Sequence, residues 1–170
     1  MIIYGIILTI LLVFLDQISK YLIFASIGLH QPVEVIDGFF RLYGVYNTGA
    51  AFSILNDHSW ILLVISIVST LVISYFMKDF SLKRRPLYSV SLVLILSGCI
   101  GNMIDRMFNN FQVYDFIDLE FMNFAIFNLA DCFLTVGVIM MAVFLLFFEQ
   151  NDPISIRLKP IYEEKIDPFT

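Results

Sequence analysis

Charge is scarce in this chain. Only 15% of its 170 residues are Asp, Glu, Lys or Arg, where a soluble domain carries about 25%. Basic residues are the rarer sign. Ten Lys and Arg against fifteen Asp and Glu give a formal net charge of −5, with a pI of 4.8, which removes the electrostatic footprint of nucleic-acid binding. Cysteine occurs twice, as Cys99 and Cys132. With no CxxC and no Cys/His cluster, neither a disulfide framework nor a zinc site is expected, and both read as packing residues. Histidine also occurs only twice, at His30 and His58, and HExxH is missing, which argues against a zinc hydrolase. GxSxG is missing too, and with it a serine nucleophile elbow. Ser19 lies beside Lys20 rather than one helical turn from it, so a Ser–Lys dyad has no support. None of these patterns calls for a cofactor.

Apolar residues are abundant. They make up 59% of the chain, and the mean hydropathy is +0.87. They fall into four runs, at about 2–27, 59–77, 87–104 and 124–148. Each is close to the ~20 residues that carry a helix across a ~30 Å hydrocarbon core. The fold class expected is membrane all-α: a bundle of four transmembrane helices forming one polytopic domain over residues 1–150, followed by a polar tail at 151–170. The first run lacks a basic leader, exceeds the length of a signal-peptide core, and carries Asp16 and Lys20, so it is expected to stay uncleaved.

The link between runs two and three reads KDFSLKRR, with Lys78, Lys83, Arg84 and Arg85 against Asp79. Short basic loops stay in the cytoplasm. Both termini are therefore expected inside, with segments 26–58 and 107–123 outside. Arg41 is the only Lys or Arg in those two segments. Within the first, PVEVIDGFFRLYGVYN carries two β-prone stretches around Asp37-Gly38, the signal of a type I′ hairpin. Its Phe39, Phe40, Tyr43 and Tyr46 suit the bilayer interface, where a small sheet would lie on the outer leaflet. The second, FNNFQVYDFIDLEFMNF, reads as a short amphipathic piece on the same surface.

Polar residues within the runs gather toward the outside. With a rise of ~1.5 Å per residue, Asp16 and Lys20 stand ~21 and ~27 Å above the inner start of helix 1. Asn102 and Asp105 stand ~22 and ~27 Å up helix 3, and Asn128 and Asp131 lie ~6–10 Å below the outer start of the fourth run. The inner half of the bundle stays apolar. Asp16 and Lys20 are spaced to pair at i,i+4, and Asn102, Asp105 and Arg106 share a helical face. Asp16–Lys20 and Asp105–Arg106 pairs that tie helices together are the plain reading of those four charges. Asp131 has no basic neighbour one turn away. A carboxylate at mid-bilayer costs about 2.5–3.5 kcal/mol on insertion scales, so it is expected to serve function. Two carboxylates held close divide their roles, one as base toward a water and the other, protonated, as acid. Asp115 and Asp118 are the outer candidates for the partner; Asp115 lies between Tyr114 and Phe116, which would carry it to the interface.

Five motifs then stand in order: DQISK (16–20), NTGAAFS (47–53), GNMIDR (101–106), VYDF (113–116) and FNLAD (127–131). Together they resemble the motif set of the bacterial lipoprotein signal peptidases, or signal peptidase II. Ser97, Ile126 and Cys132 depart from residues common in that family, none at a charged motif position. The resemblance implies an aspartic endopeptidase of the bacterial plasma membrane. Its substrate would be a diacylglyceryl-modified prolipoprotein, cut before the lipidated cysteine. It implies Asp115 and Asp131 as the catalytic pair, with Asp16, Lys20, Asn102, Asp105, Arg106 and Asn128 in support and Asn47, Gly49 and Ala50 near the substrate. It further implies inhibition by globomycin, and a monomer in contact with membrane lipids is expected. A proton-coupled membrane transporter is the alternative from another class, since intramembrane aspartates also mark proton relays. It would want charges near the midplane reached from both sides. An assembly or lipid-binding protein comes third.

Overall fold

The computed structural model describes residues 2–49, 59–122 and 124–149. Four helices cover the apolar runs: α1 (Ile2–Ile27), α2 (Ser59–Phe76), α3 (Pro86–Phe108) and α4 (Leu129–Phe147). All are long and apolar enough to span a bilayer. Within such a helix every backbone polar group is satisfied along the segment itself, which lipid demands. Their burial is uneven. Of the α3 span 61% is buried, against 11–17% for the other three, so α3 is the hub around which α1, α2 and α4 pack. Outward-facing residues such as Tyr21, Leu71 and Leu146 are apolar and exposed, the surface a bilayer would cover.

Small residues set how closely the helices meet. A Cβ at Gly98 of α3 would run into the Ala130 carbonyl oxygen, and one at Gly137 of α4 would lie 2.9 Å from the Ile95 nitrogen and 2.9 Å from Leu94 Cβ. Such positions let backbones approach where no hydrophobic drive operates between helices. Gly137→Ala is therefore expected to push α3 and α4 apart at a cost of about 1–3 kcal/mol. A thermal melt in detergent reads this as a lowered midpoint; an unchanged midpoint would mean that the contact does not matter.

Three strands form one antiparallel sheet in the order β1-β2-β3: β1 (Pro32–Ile36), β2 (Phe40–Asn47) and β3 (Val113–Leu119). The hairpin expected at Asp37-Gly38 is present, with a different turn. Phe39 N–H bonds the Ile36 carbonyl, and of the two central residues only Gly38 has positive φ, at 66°. A type I′ turn needs both there. The β1–β2 pairing also shifts by one residue between Glu34 and Ile36, leaving Val35 unpaired. The second outer segment is not an amphipathic surface piece but strand β3. Val-Tyr-Asp-Phe-Ile-Asp-Leu is rich in β-formers, and the free edge of β2 accepts it along Phe40↔Leu119 to Asn47↔Val113.

Helix α4 begins at Leu129, five residues after the start of its apolar run. Phe127 instead bridges to Ile117, alongside β3. Asn128 caps the helix: its side chain accepts from Asp131 N–H, and the Asp131 carboxylate accepts from Asn128 N–H. This reciprocal box fixes the boundary that hydropathy overran.

Candidate active site

The polar residues of α1, α3, β3 and the start of α4 meet in one buried network. Asn128, fully buried, is its centre. Its Nδ2 lies 2.5 Å from Asp115 Oδ1 and 3.1 Å from Asn102 Oδ1. Asp115 projects from β3 and is 2% exposed. Its Oδ2 accepts from Asn47 Nδ2 of β2 at 2.9 Å, and Asn47 Oδ1 in turn accepts from Gly49 N–H at 2.9 Å. Asp131 stands in the first turn of α4, where the helix dipole favours negative charge. Its Oδ1 accepts from Asn102 Nδ2 at 2.7 Å and its Oδ2 from Asn128 N–H at 3.1 Å. All four oxygens of the two carboxylates thus receive an N–H, and each keeps a further lone pair for a water or a substrate group.

A second layer lies behind them. Lys20 Nζ is 2.8 Å from Asp16 and 2.8 Å from Asp105, and the three side chains are at most 6% exposed. Asp105 therefore pairs with Lys20 of α1 and not with Arg106. Arg106 turns toward α2 instead, with Nη1 3.5 Å from Ser66 Oγ and 3.3 Å from the Asn102 carbonyl. Its Nε is the one buried side-chain nitrogen or oxygen without a hydrogen bond among the described residues. The Arg106 charge faces Asp131, Asp115 and Asp105. Lys20 is paired with Asp16 and Asp105, and its charge also reaches Asp115. Two carboxylates held close in a buried site favour retention of a proton between them. Burial first, and the Asp131 carboxylate second, push Asp115 up to about 7, against the Asn47 and Asn128 bonds and the Lys20 charge.

Asp118 is not part of this network. Three residues from Asp115 on a strand, it points to the opposite face, where its Oδ2 accepts from Arg41 Nε at 2.7 Å. That side holds a separate depression of about 370 Å³, lined by Arg41, Asp118, Glu120 and Phe121 among others. Tyr114 does not wrap the Asp115 carboxylate. On the alternate face of β3, it packs edge-on to Phe24 of α1 at 5.4 Å and donates its hydroxyl to the Gly28 carbonyl at 3.3 Å. It thereby fastens the strand to the helix. Sequence reasoning passed over Gln17, whose Nε2 is shared among Asp16 Oδ2, the Gly101 carbonyl and Asp105 Oδ1 at 3.0, 3.2 and 3.0 Å. A carboxamide within an apolar helix, next to an aspartate, was the available signal. Of the residues expected near the substrate, Ala50 lies outside the described residues, as does the 151–170 tail.

Four spanning helices around a buried polar cluster, capped by a small sheet, define a polytopic membrane protein. Comparison with known proteins narrows the class. The model of the family "Signal peptidase (SPase) II" matches residues 8–147. A lipoprotein signal peptidase of Listeria monocytogenes is 39% identical over 143 residues, which cover 83% of this chain and 92% of that protein. One from Streptococcus pyogenes is 46% identical over 138 residues, covering 79% and 87%. A solved bacterial membrane enzyme, determined by the in meso method, superposes with a TM-score of 0.74 at 32% identity, covering 84% of this chain and 87% of its own. The chain belongs to the signal peptidase II family and is a membrane peptidase.

Proposed function

We propose that this chain removes signal peptides from prolipoproteins, cutting before the cysteine that carries diacylglyceryl, and that Asp115 and Asp131 activate the water. The observation that carries this is the meeting of the two carboxylates at Asn128, with each oxygen held by an N–H. In a pair that shares one proton we assign it to Asp115, which is pushed up to about 7 and so is still protonated in a large share of molecules at neutral pH. Asp131 is then the base. It takes a proton from water, whose oxygen attacks the scissile carbonyl carbon, while Asp115 gives its proton to the carbonyl oxygen. Collapse of the tetrahedral intermediate breaks the C–N bond; the proton held by Asp131 passes to the leaving nitrogen, and one hydroxyl of the intermediate returns its proton to Asp115 as the carboxylic acid forms.

The basic 78–85 link supports a topology with both termini in the cytoplasm and the site at the outer leaflet. There a lipid-tethered substrate is already concentrated. The working unit is a monomer bathed in membrane lipid, and globomycin competes with the substrate. The test is purified protein in detergent with a synthetic lipidated prolipoprotein peptide. Mass analysis is expected to show one cut, before the modified cysteine. A cut at another position, or none, would overturn this assignment of substrate and cleavage site.

Metal dependence is a separate test. A zinc site takes three or four His, Cys or carboxylate ligands, and among the described residues no group of three or more such side chains is arranged to hold a metal. Turnover is expected to persist in EDTA. Complete loss restored by added zinc would overturn the aspartic mechanism.

A further inference from the structure

Behind the candidate pair, two carboxylates grip the backbone in matching ways. Asp16 Oδ1 accepts from Ala130 N–H at 2.9 Å, and Asp105 Oδ2 accepts from Tyr114 N–H at 3.3 Å. Ala130 directly precedes Asp131, and Tyr114 directly precedes Asp115. Asp16 and Asp105 come from different helices and carry like charge, so they would drift apart unless bridged. Two donors bridge them. Lys20 Nζ reaches both at 2.8 Å, and Gln17 Nε2 reaches both at 3.0 Å while also touching the Gly101 carbonyl at 3.2 Å. At Gly101 the two helices leave no room for a side chain, since a Cβ there would lie 2.6 Å from Asp16 Oδ2.

We infer that Gln17 is a positioning residue: with Lys20 it clamps Asp16 to Asp105, and through the Ala130 and Tyr114 amides this clamp fixes where Asp131 and Asp115 stand relative to each other. The inference rests on the assignment of those two aspartates above. Gln17 supplies what the lysine alone lacks. A single ammonium can swing between two carboxylates, whereas a carboxamide anchored on the Gly101 carbonyl of α3 sets the spacing between α1 and α3. Neither side chain has to touch the substrate for the pair to depend on them. Misplacing reacting groups by about 1 Å costs on the order of 10²-fold in rate.

Gln17→Leu and Gln17→Met both remove the donor and keep a side chain suited to an apolar helix. In each, the exchange rates of the Ala130 and Tyr114 amides are compared with wild type, in parallel with kcat and KM on the lipidated peptide. Exchange at both amides is expected to rise by up to about tenfold, the effect of losing support worth one modest hydrogen bond. The value of kcat is expected to fall by about 10- to 100-fold with KM unchanged. Unchanged exchange overturns the clamp, and unchanged kcat or a rise in KM alone overturns the positioning role. The exchange arm needs no activity, so it judges the clamp even if the two aspartates prove not to be the reacting pair. That separate failure would show as full turnover in Asp115→Asn or Asp131→Asn.

Discussion

Asp115→Asn and Asp131→Asn are each expected to lower turnover by about 10³-fold or more, the scale lost with an essential acid or base. Each replacement keeps the shape of the side chain but removes one half of a proton-sharing pair. The folded protein should survive with some loss of stability. Both oxygens of each carboxylate accept an N–H, so an amide at either position turns an NH2 toward a donor. A mismatched buried polar contact of this kind costs about 1–3 kcal/mol. Asp118→Asn is the internal control. It loosens an ion pair with Arg41 on the other face of the sheet, a part-exposed contact screened by solvent, and should leave turnover near wild type. If Asp118→Asn is the inactive variant, the wrong outer aspartate has been chosen.

Lys20→Met is expected to be the most destabilising single change in the site. It leaves Asp16 and Asp105 buried, both charged, without their cation. Breaking a buried ion pair by removing one partner costs about 3–5 kcal/mol, and removing both partners costs less. The Asp16→Leu/Lys20→Met double variant leaves one carboxylate, Asp105, without its cation in place of two, and should therefore melt higher than Lys20→Met alone, although it forfeits the acceptor for Ala130 N–H. Thermal unfolding in detergent ranks the two. A Lys20 variant that melts like wild type yet turns nothing over would mean that the lysine acts directly on the substrate or on the aspartate pair.

Hydropathy located the helices because lipid imposes one requirement on a spanning segment, about twenty apolar residues with an internally bonded backbone. It could not locate the start of α4. Phe124 to Phe127 are as apolar as the helix that follows, and the boundary is set by the capping box at Asn128 and Asp131. Strand β3 was hidden for a related reason. An aromatic-rich segment at an interface satisfies amphipathic and extended readings alike, and the free edge of β2 decides between them. The expected Asp105–Arg106 pair fails on helix geometry, because adjacent residues on a helix do not face each other. The partner of Asp105 is Lys20, 85 positions earlier in the chain, a distance no local pattern spans. The depth argument for Asp16, Lys20, Asn102, Asp105, Asn128 and Asp131 did bring together residues that the structure joins in one network. Strand register places Asp115 and Asp118 on opposite faces, and of the two Asp115 is the one that joins this network.

The pH dependence of cleavage tests the proton-sharing pair most directly. On the proposed mechanism Asp115 must hold its proton to polarise the carbonyl, and with the group pushed up to about 7 that proton is lost as pH rises through that range. The value of kcat/KM on the lipidated peptide should therefore fall on the alkaline side with an apparent midpoint near there, reported for the coupled pair rather than for one residue. Asn47→Ala should move this limb upward, because the Asn47 amide stabilises the ionised carboxylate. A rate that keeps climbing through neutral and alkaline pH, as for a lone general base, would contradict the mechanism.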